Sequence, residues 1–118
     1  MLRVLVVDDS SFMRKRLKSL LEEAGHRVLA TARDGKEAFD LYQELNPDLV
    51  IMDVTMRGVD GIAGARMIRE KDPKAKILFM SLVKDPKVIS EAKEIGTLGF
   101  IEKKDHHRLF DIMSKENM

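Results

Sequence analysis

The chain has 118 residues, 44% hydrophobic and 35% charged, with a net charge of +1 and no cysteine. That length supports one domain with a real core, the near-neutral charge gives no reason to expect nucleic acid or an acidic membrane as partner, and the lack of cysteine excludes disulfides and thiol chemistry. No apolar run approaches the ~18 residues needed to span a bilayer, and MLRVLVVDD has no signal-peptide layout, so a cytoplasmic protein is expected.

The first apolar run, VLVV (4–7), ends abruptly in Asp8 and Asp9. A helical pattern follows over 11–24, with Phe12, Leu17, Leu20, Leu21 and Ala24 near one face, Ser10 or Ser11 as N-cap and Gly25 as the stop. VLATA (28–32) is the second strand. The segment 34–45 opens with Asp34 and Glu37 at capping-box spacing. LVIM (49–52) is the third strand and runs into Asp53; the helix 60–71 after it carries Ile62, Ala65, Met67 and Ile68. ILFM (77–80) meets Ser81, and the helix 85–95 opens with Asp85 as cap and Pro86 at its first position. LGFI (98–101) precedes Lys103, and the last helix, 105–116, opens with Asp105 and carries Leu109, Ile112 and Met113.

Continuous apolar runs of strand length suit strands covered on both faces. Their alternation with helices predicts a doubly wound α/β fold, (βα) five times over, with a five-stranded parallel sheet; the flavodoxin-like order 2-1-3-4-5 is the one expected. No linker, repeat or low-complexity segment interrupts the pattern. Residues 1–118 are expected to form a single domain without an attached output domain.

Ligand sites in such sheets lie beyond the carboxyl ends of the strands. Those ends supply Asp8 and Asp9, Asp53, Ser81 and Lys103. With strands 1 and 3 as neighbours, three carboxylates converge, and each close pair repels by roughly 4 kcal/mol at an intermediate dielectric. A divalent cation removes that cost. Mg²⁺ (or Mn²⁺) takes one or two carboxylates, keeps waters and accepts a phosphate oxygen. Acids, a hydroxyl and a lysine around such an ion suit phosphoryl transfer, where catalysis is mainly positioning and charge neutralisation. Asp53 would be the nucleophile. Asp9, Asp53 and the Thr55 carbonyl would hold the metal, Asp8 would act through a water, and Ser81 and Lys103 would bind two phosphoryl oxygens.

VLVVDDSSFMR, LVIMDVTM followed by Gly61, LFMS and GFIEK together resemble the receiver domain of two-component response regulators, most closely the single-domain chemotaxis type. The resemblance spans essentially the whole chain. It implies that Asp53 accepts phosphate from a histidine kinase or phosphotransfer protein, with Asp8 and Asp9 as the acidic pair and Lys103 as the family lysine. Ser81 is the switch hydroxyl and Phe100 the switch aromatic, and a downstream target is read by the face of the fourth helix, fifth strand and fifth helix. Such a protein catalyses its own phosphorylation but is not a turnover enzyme. Three positions depart from the pattern. Lys104 stands where the family usually has proline, so a trans bond is expected there. Arg57 replaces a common proline. Leu82 replaces a small residue, and its bulk is expected to narrow access to Asp53. Val83 and Thr55 carry neither an acid nor an amide, which argues against rapid self-dephosphorylation.

Blander roles compete. Asp8 and Asp9 suit a helix N-terminus by charge alone, Phe100 suits a core, and Lys103 has a solvated rival in Lys104. The adjacent His106 and His107 point in different directions on a helix and read as surface. His26 reads as a turn residue, the methionines as core filling, and MRKRLK (13–18) as a basic helix face, either solvated or docking an acidic partner. Two rival functions remain: a small aspartyl-phosphate phosphatase, which would want D-x-D after strand 1, and a receiver-like scaffold that no longer switches.

Overall fold

The computed structural model describes residues 1–54, 60–82, 85–95, 98–103 and 105–116. Along them run β1 (Arg3–Val7), α1 (Ser11–Glu23), β2 (Arg27–Ala32), α2 (Gly35–Leu45), β3 (Leu49–Asp53), α3 (Gly61–Lys71), β4 (Ile77–Ser81), α4 (Pro86–Ile95), β5 (Gly99–Glu102) and α5 (His106–Glu116). The strands pair in parallel in the order β2-β1-β3-β4-β5, the expected flavodoxin-like order.

Alternate residues of each strand point to opposite faces of the sheet, and both faces are covered. Leu5, Val7, Val50, Met52, Ile77 and Phe79 pack with α2, α3 and α4 through Ala38, Ile62, Ala65, Ile68 and Ala92. On the other side Val4, Val6, Ile51, Leu78, Met80 and Ile101 pack with α1 and α5 through Leu17, Leu21, Leu109 and Met113. This explains the uninterrupted apolar runs: β1 beyond Arg3, β3 and β4 are buried along their whole length.

The helix starts follow the capping chemistry. Ser10 Oγ accepts from Met13 N (3.3 Å) at the head of α1. Asp34 Oδ1 accepts from Glu37 N (2.9 Å), Asp60 Oδ1 from Ala63 N (2.8 Å) and Asp85 Oδ1 from Lys87 N (2.9 Å). The capping box at α2 is shifted by one residue, because Glu37 Oε1 reaches the Arg33 amide. Asn46 ends α2 in the left-handed conformation at φ 49°.

Two expectations for α1 need correction. Phe12 is 69% exposed and Ala24 is exposed as the C-cap. The buried stripe runs through Met13, Leu17 and Leu21; Phe12 lies five residues before Leu17, too far round a helix of 3.6 residues per turn to share its face. His26 is more than a turn residue, since its Nδ1 accepts from Leu2 N at 3.1 Å and ties the end of α1 to the start of β1.

Candidate functional site

The parallel register brings the strand ends to one rim. Val7 is level with Met52, Asp53 with Met80, and Ser81 with Glu102. Asp8 follows β1, Asp53 ends β3, Ser81 ends β4 and Lys103 follows β5. All four are buried, at 1%, 2%, 0% and 6% exposure, whereas Asp9 is exposed. These are the only polar or charged residues buried to this degree among the described residues, so the buried polarity of the fold is concentrated at one place.

One carboxylate oxygen from each of Asp8, Asp9 and Asp53 lies within 4.8 Å of the others. Lys103 Nζ donates to Asp53 Oδ2 at 3.1 Å and makes an ion contact of 2.6 Å with Asp8 Oδ2. That oxygen receives no aligned hydrogen bond among the described residues, whereas Asp8 Oδ1 accepts from Ser10 N at 2.9 Å. Burial lifts the Asp8 carboxyl above its ordinary pKa; Lys103 and the Ser10 amide pull it down and nearby Asp53 pushes it up further. Burial alone would lower Lys103, but the Asp8 and Asp53 carboxylates outweigh it and hold the ammonium above its usual pKa. Three acids thus gather beside one ammonium, which leaves an excess of negative charge at the rim. Such a donor set fits a divalent cation bound by oxygen ligands.

Backbone contacts fix this rim. Lys103 N donates to Ser81 O (2.9 Å), Val54 N to Met80 O (3.3 Å) and Asp8 N to Ala32 O (3.0 Å). Two supporting residues escape a reading of strand ends. Arg14, one turn into α1, donates from Nη1 to the Asp8 carbonyl at 2.7 Å. Gly61 opens α3 against the end of β3, where a Cβ would overlap the Asp53 carbonyl oxygen and meet Met52 Cγ at 3.0 Å. Only glycine permits that approach, and the glycine after the strand-end Asp is the one signal of it in the sequence.

The other expected positions fall as follows. Phe100 is half-buried on β5 and packs against the core layer that contains Phe79 and Ala92. It also lines a groove of about 410 Å³ with Ile89, Lys93 and Arg108 from α4 and α5. Leu82 is 75% exposed and directly follows Ser81 at the end of β4. Thr55, Arg57, Val83 and Lys104 lie outside the described residues.

The fold is shared with known proteins. The family model of the response regulator receiver domain matches residues 4–114. Protein CcdB of Bacillus subtilis is 46% identical over 103 residues, covering 87% of this chain and 86% of that protein. The chemotaxis protein CheY of Thermotoga maritima is 43% identical over 101 residues, covering 86% and 84%. A chain of the CheX–CheY–BeF₃–Mg²⁺ complex from Borrelia burgdorferi superposes with a TM-score of 0.90 at 30% identity, over 98% of this chain and 89% of that one. The chain belongs to the response regulator receiver domain family. Within that family it is similar to single-domain chemotaxis regulators over most of its length.

Proposed function

We propose that Asp53 accepts a phosphoryl group from the phosphohistidine of a sensor histidine kinase or phosphotransfer protein. The observation that carries this is the ammonium of Lys103 set between buried Asp8 and Asp53, with Asp9 beside them. A carboxylate oxygen of Asp53 attacks phosphorus, the P–N bond to the donor imidazole breaks with its electron pair leaving on nitrogen, and an acyl phosphate forms. Lys103 and Ser81 hold two of the transferred oxygens. Burial keeps water from the acceptor and strengthens each electrostatic contact.

Asp9, Asp53 and the Thr55 carbonyl would hold Mg²⁺ (or Mn²⁺), with Asp8 engaged through water. The ion would neutralise charge gathering on the phosphoryl oxygens. The Borrelia burgdorferi complex, which holds BeF₃ and Mg²⁺, supports that reading. Phosphorylation then draws Ser81 and Lys103 towards the new group, and Phe100 carries the change to the groove between α4, β5 and α5, where a downstream protein is read. A small charge event thereby biases a packing element with two states.

Beryllofluoride titration with Mg²⁺, followed by amide spectra, tests this. The native chain should respond at Asp53, Ser81 and Phe100, and Asp53→Ala should not. A response at the acid cluster that never reaches Phe100 would instead describe a receiver that binds without switching.

A further inference from the structure

The basic face of α1 touches the acid cluster through one residue and is otherwise unused by it. Arg14, Lys15 and Lys18 line a groove of about 440 Å³ between α1 and residues 28–31 of β2, the edge strand. Among the described residues, no carboxylate lines it. Its apolar floor comes from a local irregularity. The partner of β1 steps from Val28 to Ala30 between Val4 and Leu5, so Leu29 is an extra residue on the edge strand. A bulge of this kind re-aims the side chain it carries. Val28 and Ala30 each pack against a core layer, whereas Leu29 is half-buried, packs in neither and lines the groove. The bulge also twists the edge away from a flat ladder, which disfavours the addition of another strand. An occupant is therefore gripped by its side chains. A second copy of the chain would set the same cations against these, and like charge disfavours that pairing.

We propose that this groove docks a segment of a partner protein in which acidic and large aliphatic residues alternate. Its carboxylates pair with Arg14, Lys15 and Lys18, and an aliphatic side chain rests on Leu29. Arg14 also joins the groove to the acid cluster through its bond to the Asp8 carbonyl. A carboxylate in the groove competes for that guanidinium, so occupancy is felt at the loop that carries Asp8 and Asp9. Docking needs no phosphoryl chemistry, and its success or failure is independent of the role given to Asp53.

The probe is a capped hexapeptide of alternating glutamate and leucine, titrated into nitrogen-15-labelled full-length protein without metal or phosphodonor. A capped lysine–leucine hexapeptide is the control. The expected result is amide shifts at residues 14–18, 28–31 and Asp8 from the acidic peptide alone. The Lys15→Glu, Lys18→Glu double variant, its amide pattern otherwise native, should bind about tenfold more weakly or worse. Equal shifts from both peptides would overturn the proposal, as would no shift in the groove at millimolar peptide. Shifts confined to the groove beside Phe100 would overturn it too.

Discussion

Lys103 Nζ lies 2.6 Å from Asp8 Oδ2 and 3.1 Å from Asp53 Oδ2, so one buried ammonium ties the end of β5 to the ends of β1 and β3. Removing it leaves two buried acids facing each other. Breaking a buried pair on one side costs on the order of 3 kcal/mol or more. Lys103→Met is therefore expected to lower the unfolding free energy by about 3 kcal/mol in urea with a chelator present. Excess Mg²⁺ should narrow that gap, because the ion takes over part of the neutralisation. Equal stability of the two proteins without metal would contradict the ion-pair reading.

Asp8 gives a pH dependence with a definite sign. Its folded-state pKa is raised, chiefly by burial. An acid raised in this way costs nothing below its unfolded value, where both states are protonated, and costs stability as pH rises through its folded value. Asp8→Asn mimics the protonated acid. Without metal it should be more stable than the native chain at neutral pH, with the difference vanishing in acid, and it should bind Mg²⁺ more weakly. Thermal melts across pH, with and without the ion, measure both effects.

Tyr42 tests a contact remote from the rim. Its hydroxyl donates to Asp72 Oδ2 at 2.7 Å, joining α2 to the end of α3. That bond is the main reason the Asp72 carboxyl sits below its ordinary pKa. A lowered acid stabilises above its unfolded value and loses that contribution as pH falls through its folded value. Tyr42→Phe should cost about 1–1.5 kcal/mol at neutral pH, and the difference should shrink in strong acid. Denaturant midpoints at the two pH values check the sign.

Gly61→Ala should harm phosphorylation more than folding. The new methyl would overlap the Asp53 carbonyl, so α3 and the end of β3 must part. Overpacking of this kind costs about 1–3 kcal/mol, while misplacing a reacting group by an ångström can cost on the order of 10²-fold in rate. Phosphorylation by acetyl phosphate, compared with urea stability of the same protein, separates the two effects. Loss of both in proportion would mean that Gly61 serves the fold alone.

Much of this was legible in the sequence because burial on both faces leaves a simple mark. VLVV, LVIM and ILFM have no polar interruption, and the structure ends these strands within a residue of where the runs end. Asp8 and Asp53 were legible for the same reason, since a charge straight after such a run sits at the rim; Lys103, one residue beyond Glu102, was legible through its spacing from Phe100 in the family resemblance. Phe12 misled because an apolar residue near a stripe is not always on it. Arg14 and the Leu2–His26 bond were hidden because each depends on a turn of backbone meeting another element, which no local pattern encodes.

The most direct measurement is the site of acetylphosphate-dependent modification in the presence of Mg²⁺, read by intact mass and then by reductive trapping and peptide mapping. A single phosphoryl group on Asp53, absent in the Asp53→Ala variant and abolished by chelation, is the predicted result. Phosphate carried elsewhere, or an unmodified native chain under these conditions, would contradict the assignment of the Asp8, Asp9, Asp53 and Lys103 cluster as a phosphoryl acceptor.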